Sequence, residues 1–266
     1  MKDLIYRLLD FINNHKTKDT NYFIALFLLK DVYQIASMNI TVLAESCYTS
    51  PAAVTRFCKR IGYSSFQEFK EMAKIEHITI PTDVQMDVSL PAIEKGNILQ
   101  HKLYHKMVDW LDSVESNIQV SEAQHILKLI NESEKVSFFG TQLSQAIAQD
   151  FQYRLAKLGK FVQAFSDIQE QLADALELDE HSVAIVTSPS GRFVEDNSDL
   201  MRVLRTCQAK VFVLTHNEDI SSYSNWEIIR LQGRSYDRTG FSSERFSLMY
   251  FFDFAIAYYQ QLYPLE

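Results

Sequence analysis

Cysteine, glycine and proline are all scarce in this chain. Its 266 residues include 3 cysteines, 7 glycines and 5 prolines. The cysteines, Cys47, Cys58 and Cys207, form no CxxC pair, and the 7 histidines form no HExxH motif. We therefore expect neither a metal site nor a bound cofactor. Because glycine and proline are rare, we also expect disordered linkers to be short.

Targeting and membrane segments are missing from the sequence as well. No stretch resembles a signal peptide, and no apolar run is long enough to cross a bilayer. The expectation is a cytoplasmic protein in a reduced setting, with no membrane partner.

Charge is unevenly distributed along the chain. The formal net charge is −8, which by itself argues against general affinity for nucleic acid. Residues 1–77, however, carry ten Lys and Arg against eight Asp and Glu, so their charge is +2 and the remainder carries −10. A slightly basic N-terminal part joined to an acidic part suits a DNA reader attached to a second domain.

Residues 41–62 predict two short helices joined by a tight turn. Thr41 is expected to cap the first helix and Ser50 the second, with Pro51 at its first position. Gly62 follows as a helix-ending residue. Apolar residues at three- and four-residue spacing give the helices inward faces: Leu43, Ala44, Cys47, Val54, Phe57, Cys58 and Ile61. Such a pair is a helix-turn-helix, whose second helix enters the DNA major groove.

The second helix carries positive charge and no carboxylate. Arg56, Lys59 and Arg60 are expected to contact phosphates, which attract a basic face without reading sequence. Short side chains near the helix start are the candidates for base contacts: Ala52, Ala53 and Thr55. Ser50, at the cap, is also expected among the DNA-binding residues. The alternative interpretation is an ordinary solvated basic face on a small helical bundle.

This stretch resembles the N-terminal domain of RpiR-type transcriptional regulators, bacterial proteins that respond to phosphosugars. The Ser-Pro start, the Arg-Phe-Cys-Lys run and the Gly-Tyr-x-x-Phe tail carry the resemblance, through Ile40, Leu43, Ala44, Ser50, Pro51, Val54, Arg56, Phe57, Cys58, Lys59, Gly62, Tyr63, Ser65, Phe66, Phe69 and Lys70. Ala53 departs from the family pattern, in which Thr or Ser is usual. The resemblance implies that this domain binds DNA.

Composition divides the chain into three parts. Residues 1–77 predict an all-α bundle that contains the helix-turn-helix. Residues 78–98, with Pro81 and Pro91 among mixed polar residues, predict an interdomain linker. Residues 99–266 form the second domain, which begins with a helix from about Leu99.

In the second domain the hydrophobic period changes. Helical segments, among them one from Glu195 to Thr206, separate short apolar runs, so the domain is expected to be α/β with a parallel sheet flanked by helices. Five strands are predicted: VSFFG (136–140), KFVQAF (160–165), SVAIVTS (182–188), KVFVLTH (210–216) and WEIIRLQG (226–233).

Two strand ends in this domain bear hydroxyl-rich turns that precede helices. One turn is Gly140–Ser144 and the other is Thr187–Gly191. Ligands of parallel sheets bind beyond the carboxyl ends of strands, and helix starts favour anions. The alternative interpretation is that the serines here are simply caps and turn residues.

This part of the chain, from about Gln119 to Tyr263, resembles the SIS (sugar isomerase) domain of RpiR-type regulators. It keeps six positions of that pattern: Gly140, Ser144, Ser188, Ser190, Gly191 and Glu195. It departs at Gln142, where Gly is usual, and at Phe193, where Thr is usual. The resemblance implies that the three serines hold the phosphate of a phosphosugar. It also implies that the C-terminal helix pairs subunits into a homodimer or a dimer of dimers.

Three functions are open at this point. The first is a bacterial DNA-binding regulator of carbohydrate metabolism, whose partners are a double-stranded DNA operator and a sugar-phosphate effector. In the second, DNA binding is kept and the SIS domain, altered at Gln142 and Phe193, is a degenerate dimerisation module. The third is a phosphosugar isomerase with a helical appendage, for which Glu195 and His216 are the candidate bases. The DNA-binding motif favours a protein that is not an enzyme.

Overall fold

The structure, a computed structural model, describes residues 4–76, 89–115, 118–220, 226–231 and 244–264. The chain divides into two compact units, Met1–Pro81 and Thr82–Glu266, which we call the head and the body. Among the described residues, no helix combines the length and the apolar character that a membrane crossing requires.

The head is helical throughout its described part. A 3-10 helix occupies Val32–Ser37. The α-helices, in chain order, are α1 (Leu4–Asn14), α2 (Thr20–Lys30), α3 (Ile40–Ser46), α4 (Pro51–Arg60) and α5 (Phe66–Glu76). The all-α architecture predicted for this part of the chain is confirmed.

One apolar core holds the head together. Leu8 of α1, Leu28 of α2 and Phe57 of α4 are all fully enclosed in it. Burying a large apolar side chain contributes about 1.5–3 kcal/mol to stability. The predicted inward faces of α3 and α4 are confirmed, because all but one of their residues are buried and Cys47 is half-buried.

The predicted cap is wrong for α3 and confirmed for α4. Thr41 does not cap α3; the cap is Asn39, whose side-chain oxygen accepts the Thr41 N–H at 2.8 Å. Asn caps at least as well as Thr, since its carbonyl oxygen can reach an unpaired amide of the first turn. The prediction for α4 is confirmed, with Ser50 as the cap and Pro51 in the first turn.

The body alternates helices with strands. Its strands are β1 (Lys135–Phe139), β2 (Ser182–Thr187), β3 (Lys210–Thr215) and β4 (Trp226–Arg230). Its helices are α6 (Ala92–Glu115), α7 (Val120–Glu132), α8 (Gln142–Lys157), α9 (Ile168–Ala175), α10 (Arg192–Asp196), α11 (Ser198–Thr206) and α12 (Glu244–Leu262).

The strands pair in parallel in the order β1-β2-β3-β4. Phe138, Ile185 and Phe212 pack with residues of α7, α8 and α12 on one face of the sheet. Val186 and Val213 pack with residues of α9 and α11 on the other. Because both faces are covered, β2 is buried at every position, which explains its unbroken apolar run.

The prediction of five strands is wrong for the described residues, because residues 160–165 do not form one. They make a single parallel bridge, Ser137↔Gln163, beside β1. Glutamine side chains of α8 take the neighbouring carbonyls at 2.6 to 3.0 Å: Gln152 donates to Val162 O, Gln149 to Ala164 O and Gln145 to Phe165 O. The segment is therefore held by two backbone hydrogen bonds of Gln163 to β1 and by side chains of α8, without a continuous strand ladder.

Two helix boundaries also differ from the prediction. α6 begins at Ala92, so the end of the predicted 78–98 linker is helical, while residues 78–88 lie outside the described part. Pro91 directly precedes this helix, and a missing N–H is tolerated at a helix start. The predicted helix from 195 to 206 is two helices, because Asn197 leaves the helical conformation and its side chain donates to Phe193 O at 2.7 Å.

Candidate DNA-binding and ligand-binding sites

The helix-turn-helix consists of α3, α4 and the turn between them. Ser50 Oγ accepts the Ala53 N–H at 3.2 Å and so satisfies a free amide at the start of α4. At the other end, the Arg7 guanidinium donates to Ile61 O and Gly62 O, both at 2.8 Å. A cation at this position also interacts favourably with the helix dipole. Residues of the head therefore fix α4 at both ends.

The inner face of α4 belongs to the core of the head. Val54, Phe57 and Cys58 are fully buried there. Burial raises the pKa of the Cys58 thiol to about 12, so the thiol stays neutral and packs as a small apolar group. Because this face is anchored, the opposite face is held outward in a fixed orientation.

Most of the predicted DNA contacts lie on that outward face. The exposed ones are Ser50, Ala52, Arg56, Lys59 and Arg60, and the half-buried ones are Ala53 and Thr55. The Thr55 hydroxyl donates to Pro51 O at 3.0 Å, so its hydrogen is already used within the helix. The Arg60 guanidinium lies 5.4 Å from the centre of the Phe11 ring. Arg56 and Lys59 have no ion pair or ring contact among the described residues, which leaves them available to phosphates.

The second candidate site lies where β1 and β2 end. These strands are neighbours, with Phe139 paired to Val186, so the turns that follow them lie side by side. Gly140 is the first residue after β1, and a Cβ at this position would overlap Thr187 Oγ1. Glycine is therefore required here by the close approach of the two strand ends within the protein itself.

A buried glutamine that the sequence analysis did not identify holds the first turn. Gln171 of α9 is 1% exposed, and its amide oxygen accepts the Gly140 N–H at 3.2 Å. Its amide nitrogen donates to Gly140 O and Phe165 O, both at 2.8 Å. Gln145 of α8 donates to the same Phe165 carbonyl at 2.8 Å. A side chain of α9 therefore holds the turn, and side chains of α8 and α9 together hold the Phe165 carbonyl.

The turn after β2 is fastened to the end of β3. Pro189 O accepts a hydrogen bond from the Thr215 hydroxyl at 3.1 Å. Asn217 Nδ2 donates to Ser190 O at 3.2 Å. Gly191 has a φ of 85°, and a Cβ there would overlap the Asn217 side chain, so glycine is needed both for conformation and for space.

The predicted ligand residues have different environments at this end of the body. Ser188 is 2% exposed, and its Oγ accepts the Val194 N–H at 3.4 Å. Ser144, in the first turn of α8, and Ser190 are half-buried, whereas Glu195 is exposed. The hydroxyls that a ligand could reach are therefore those of Ser144 and Ser190, while Ser188 and Gly191 shape the loop.

The two departures from the SIS pattern have different consequences. Gln142 is exposed and has a φ of 52°, a left-handed conformation that is uncommon for a residue with a Cβ. Phe193 is 5% exposed and packs in the core on the α11 face of the sheet. The replacement at Phe193 therefore contributes to packing. Arg192, the first residue of α10, is exposed.

His216, considered as a catalytic base, is held inside the protein. Its Nδ1 lies 2.8 Å from Leu231 O, and burial lowers the pKa of the ring. Its Nε2 is enclosed and has no hydrogen-bond partner among the described residues. A neutral ring that donates from Nδ1 would leave a basic lone pair on Nε2, but no substrate can reach that atom in this arrangement. Within the same residues, no three His, Cys, Asp or Glu side chains are grouped as metal ligands.

Two family models match the chain. The model described as helix-turn-helix domain, rpiR family, matches residues 7–77, and the model of the SIS domain matches residues 128–231. The N-terminal part of the chain therefore matches a helix-turn-helix domain of the rpiR family, and the C-terminal part matches a SIS domain. The resemblance predicted from the sequence is confirmed for both parts of the chain.

Two relatives of this chain are described as transcriptional regulators. An uncharacterized HTH-type transcriptional regulator of Caldanaerobacter subterraneus is 25% identical over 168 residues, which are 63% of this chain and 59% of the relative. Another, from Haemophilus influenzae, is 21% identical over 222 residues, 80% of this chain and 77% of the relative. The solved structure of the Vibrio vulnificus NanR protein complexed with ManNAc-6P aligns with a TM-score of 0.53 at 18% identity, covering 98% of this chain and 92% of that chain. This last likeness shows the fold.

Proposed function

We propose that this chain is a bacterial transcriptional regulator of carbohydrate metabolism that binds an operator through α4. One observation carries the proposal: α4 is anchored in the core on one face and presents Arg56 and Lys59, with no carboxylate, on the other. In a chain whose net charge is −8, positive charge concentrated on one exposed helix favours a polyanionic partner. A helix-turn-helix places such a helix in the major groove.

Different residues of α4 would contact the phosphates and the bases of the DNA. Arg56 and Lys59 contact phosphates, which fixes the register of the protein without reading sequence. Ala52, Ala53 and Thr55 lie nearer the start of the helix, where recognition helices contact base edges. Because alanine has no hydrogen-bond donor, it reads DNA by apolar contact with the thymine methyl group.

In the body, Ser144 and Ser190 are the proposed contacts of a sugar phosphate. Both residues are half-buried, and Ser144 lies in the first turn of α8, a helix of 16 residues whose first amides and dipole favour an anion. Ser188, Gly191 and Glu195 complete the proposed site as residues of the adjoining loop and helix. The NanR protein was solved with ManNAc-6P, so this compound belongs among the ligands to be tested.

Ligand binding would control DNA binding through the spacing of two heads. A homodimer presents two copies of α4 to a pseudo-palindromic operator, and a dimer of dimers presents more. A sugar phosphate changes DNA affinity only if it binds the two arrangements of the dimer with different affinity. The sign of regulation therefore follows from the arrangement that the ligand prefers.

Binding is favoured over catalysis in the body. The enclosed Nε2 of His216 and the exposed position of Glu195 support this choice, because aldose–ketose isomerisation needs a base beside the substrate carbonyl. Incubation of the purified chain with pentose and hexose phosphates is expected to leave them unchanged. Conversion of any of them would favour the isomerase alternative instead.

The DNA-binding part of the proposal is tested by selection from random duplexes of roughly 30 base pairs, enough for two half-sites. Fluorescence anisotropy then compares an enriched duplex with a shuffled one. We expect the full chain to enrich a pseudo-palindrome and to bind it about a thousandfold more tightly than the shuffled duplex. Failure of the folded protein to enrich any sequence would contradict the proposal.

The ligand-binding part is tested by thermal unfolding against a panel of sugar phosphates that includes ManNAc-6P. Selective binding to the folded state raises the unfolding midpoint with ligand concentration. The shift should disappear in Ser144→Ala and persist in the control Ser121→Ala, since Ser121 is exposed at the start of α7. Absence of any shift across the panel would favour the dimerisation module.

A further inference from the structure

The turn of the helix-turn-helix contains a residue whose conformation and exposure the head does not explain. Tyr48 has a φ of 51°, in the left-handed region, and is 99% exposed. Its N–H donates to Glu45 O at 3.0 Å. Its side chain, by contrast, packs against none of the residues that the structure describes.

Both features are unfavourable for the head alone. The left-handed region disfavours residues with a Cβ, and turns of this kind often contain glycine instead. An aromatic ring in water also forgoes the burial through which aromatic side chains usually stabilise a protein. Strained residues that are not glycine cluster at binding sites, so this combination indicates a surface that a partner covers.

Position and charge identify the partner as DNA. Tyr48 lies two residues before Ser50, the cap of α4, so its Cα is within about 8 Å of the helix end that enters the groove. The same helix presents the exposed cations Arg56 and Lys59. Where a recognition helix enters the major groove, the sugar–phosphate backbone passes alongside, and tyrosine is among the residues that bond phosphate oxygens.

We propose that Tyr48 contacts the DNA backbone, with its hydroxyl donating to a phosphate oxygen and its ring packed on the neighbouring deoxyribose. This inference rests on the proposed DNA-binding function and adds a contact outside α4. Tyr48 would be an uncharged contact to the DNA backbone, whereas Arg56 and Lys59 would be charged contacts.

Loss of the uncharged Tyr48 contact should affect DNA binding differently from loss of a cation. Tyrosine releases no counterion from DNA, so removing it should leave the salt dependence of binding as it is. A backbone contact carries no sequence information, so its loss should weaken binding to the enriched and the shuffled duplex by the same factor. Loss of Arg56 or Lys59 should instead reduce the salt dependence.

The test compares Tyr48→Gly, Tyr48→Phe and the control Tyr153→Phe, which removes the hydroxyl of a 60% exposed tyrosine in the body. For Tyr48→Gly we expect an unfolding midpoint at or above that of the wild type, because the left-handed strain is relieved. Its affinity for both duplexes should fall about tenfold, because both the hydrogen bond and the packing of the ring on the deoxyribose are lost. Tyr48→Phe should lose about threefold, because only the hydrogen bond is lost. Tyr153→Phe should bind as the wild type does.

Two outcomes would overturn the inference on its own. One is wild-type affinity of Tyr48→Gly under conditions in which Arg56→Ala binds more weakly. The other is a loss that differs between the two duplexes or changes the salt dependence. Failure of the wild-type chain to bind any duplex would instead overturn the proposed function, together with the inference that rests on it.

Discussion

In the head, the DNA contacts predicted from the sequence all lie within Ser50–Arg60, on one helix whose start is capped by Ser50 itself. In the body, the candidate ligand residues come from two turns held by distant side chains. Gln171 reaches Gly140 across 31 residues, and Asn217 reaches Ser190 across 27. A site contained in one helix follows from local spacing, whereas a site assembled from several turns depends on contacts that spacing does not reveal.

The two regions share one unusual feature. Each has, beside its candidate site, a residue other than glycine with a positive φ, and in the described residues these are Tyr48 and Gln142. Each precedes or begins a helix, and each is exposed. Such a conformation costs about 1–2 kcal/mol per residue. Both candidate sites therefore carry strain that a bound partner can compensate.

The largest effect is expected where the body depends on a distant side chain. Gln171→Met keeps the size of the side chain but leaves Gly140 N–H and two carbonyls without this partner, which should lower the free energy of unfolding by about 2–4 kcal/mol. Both tryptophans, Trp110 and Trp226, lie in the body, so their fluorescence during urea unfolding reports on it. The exposed neighbour Gln169→Met is the control, and equal midpoints for the two variants would contradict the bracing role of Gln171.

A somewhat smaller loss is expected at the loop after β2. Gly191→Ala forces a Cβ into the left-handed region and against Asn217, which should destabilise the body by about 2 kcal/mol. Gly96→Ala is the matched control, because a Cβ there meets nothing within 4 Å and alanine favours the helix. The same fluorescence measurement applies, and a Gly191→Ala chain as stable as Gly96→Ala would show that the loop is not held as described.

In the head, a change at the cap of α4 should act locally. Ser50→Ala removes the acceptor of the Ala53 N–H, which should cost the head about 1 kcal/mol. Ser50→Asp restores the cap but places a negative charge on the DNA-facing helix, so it should keep the stability and lose DNA affinity. Circular dichroism and anisotropy separate the two effects. If Ser50→Asp bound DNA as tightly as the wild type does, the prediction that Ser50 lies close to the DNA would be contradicted.

The smallest effect concerns the acid sensitivity of the head. Asp19 caps α2, and the hydrogen bond from the Tyr22 N–H is the main reason why its pKa is lowered. The unfolded carboxyl binds protons more readily, so this stabilisation is present above about pH 4 and is lost as the pH falls through the lower folded pKa. Asp19→Asn keeps an acceptor and removes the titration.

The thermal midpoint of Asp19→Asn should therefore fall less than that of the wild type between about pH 6 and pH 3. The difference corresponds to about 0.5 kcal/mol, as for a charge at a helix start. Parallel losses in the two proteins would show that Asp19 does not contribute to the acid sensitivity.

Features that are local in sequence could be predicted from it. The Ser50–Pro51 start, the buried face of α4 and the parallel pairing implied by alternating strands and helices all follow from such patterns. Residues 160–165 could not be resolved in this way, because an extended segment braced by side chains and a strand share the same apolar alternation. The sequence did contain one indication of this bracing. Gln145, Gln149 and Gln152 are spaced so that they share a face of α8, which indicates a polar face that bonds another segment of the chain. No pattern in the sequence predicted the hydrogen bonds between Gln171 and Gly140.

The central claim, that α4 of the head binds DNA through its exposed cations, is tested most directly by the salt dependence of binding. Anisotropy of the enriched duplex, titrated at several KCl concentrations, compares the wild type with Arg56→Ala/Lys59→Ala, and Lys128→Ala in the body serves as the control. We predict weaker binding by the double variant and a slope of log affinity against log salt that is smaller by about two. A folded double variant that keeps both the affinity and the slope of the wild type would contradict the claim.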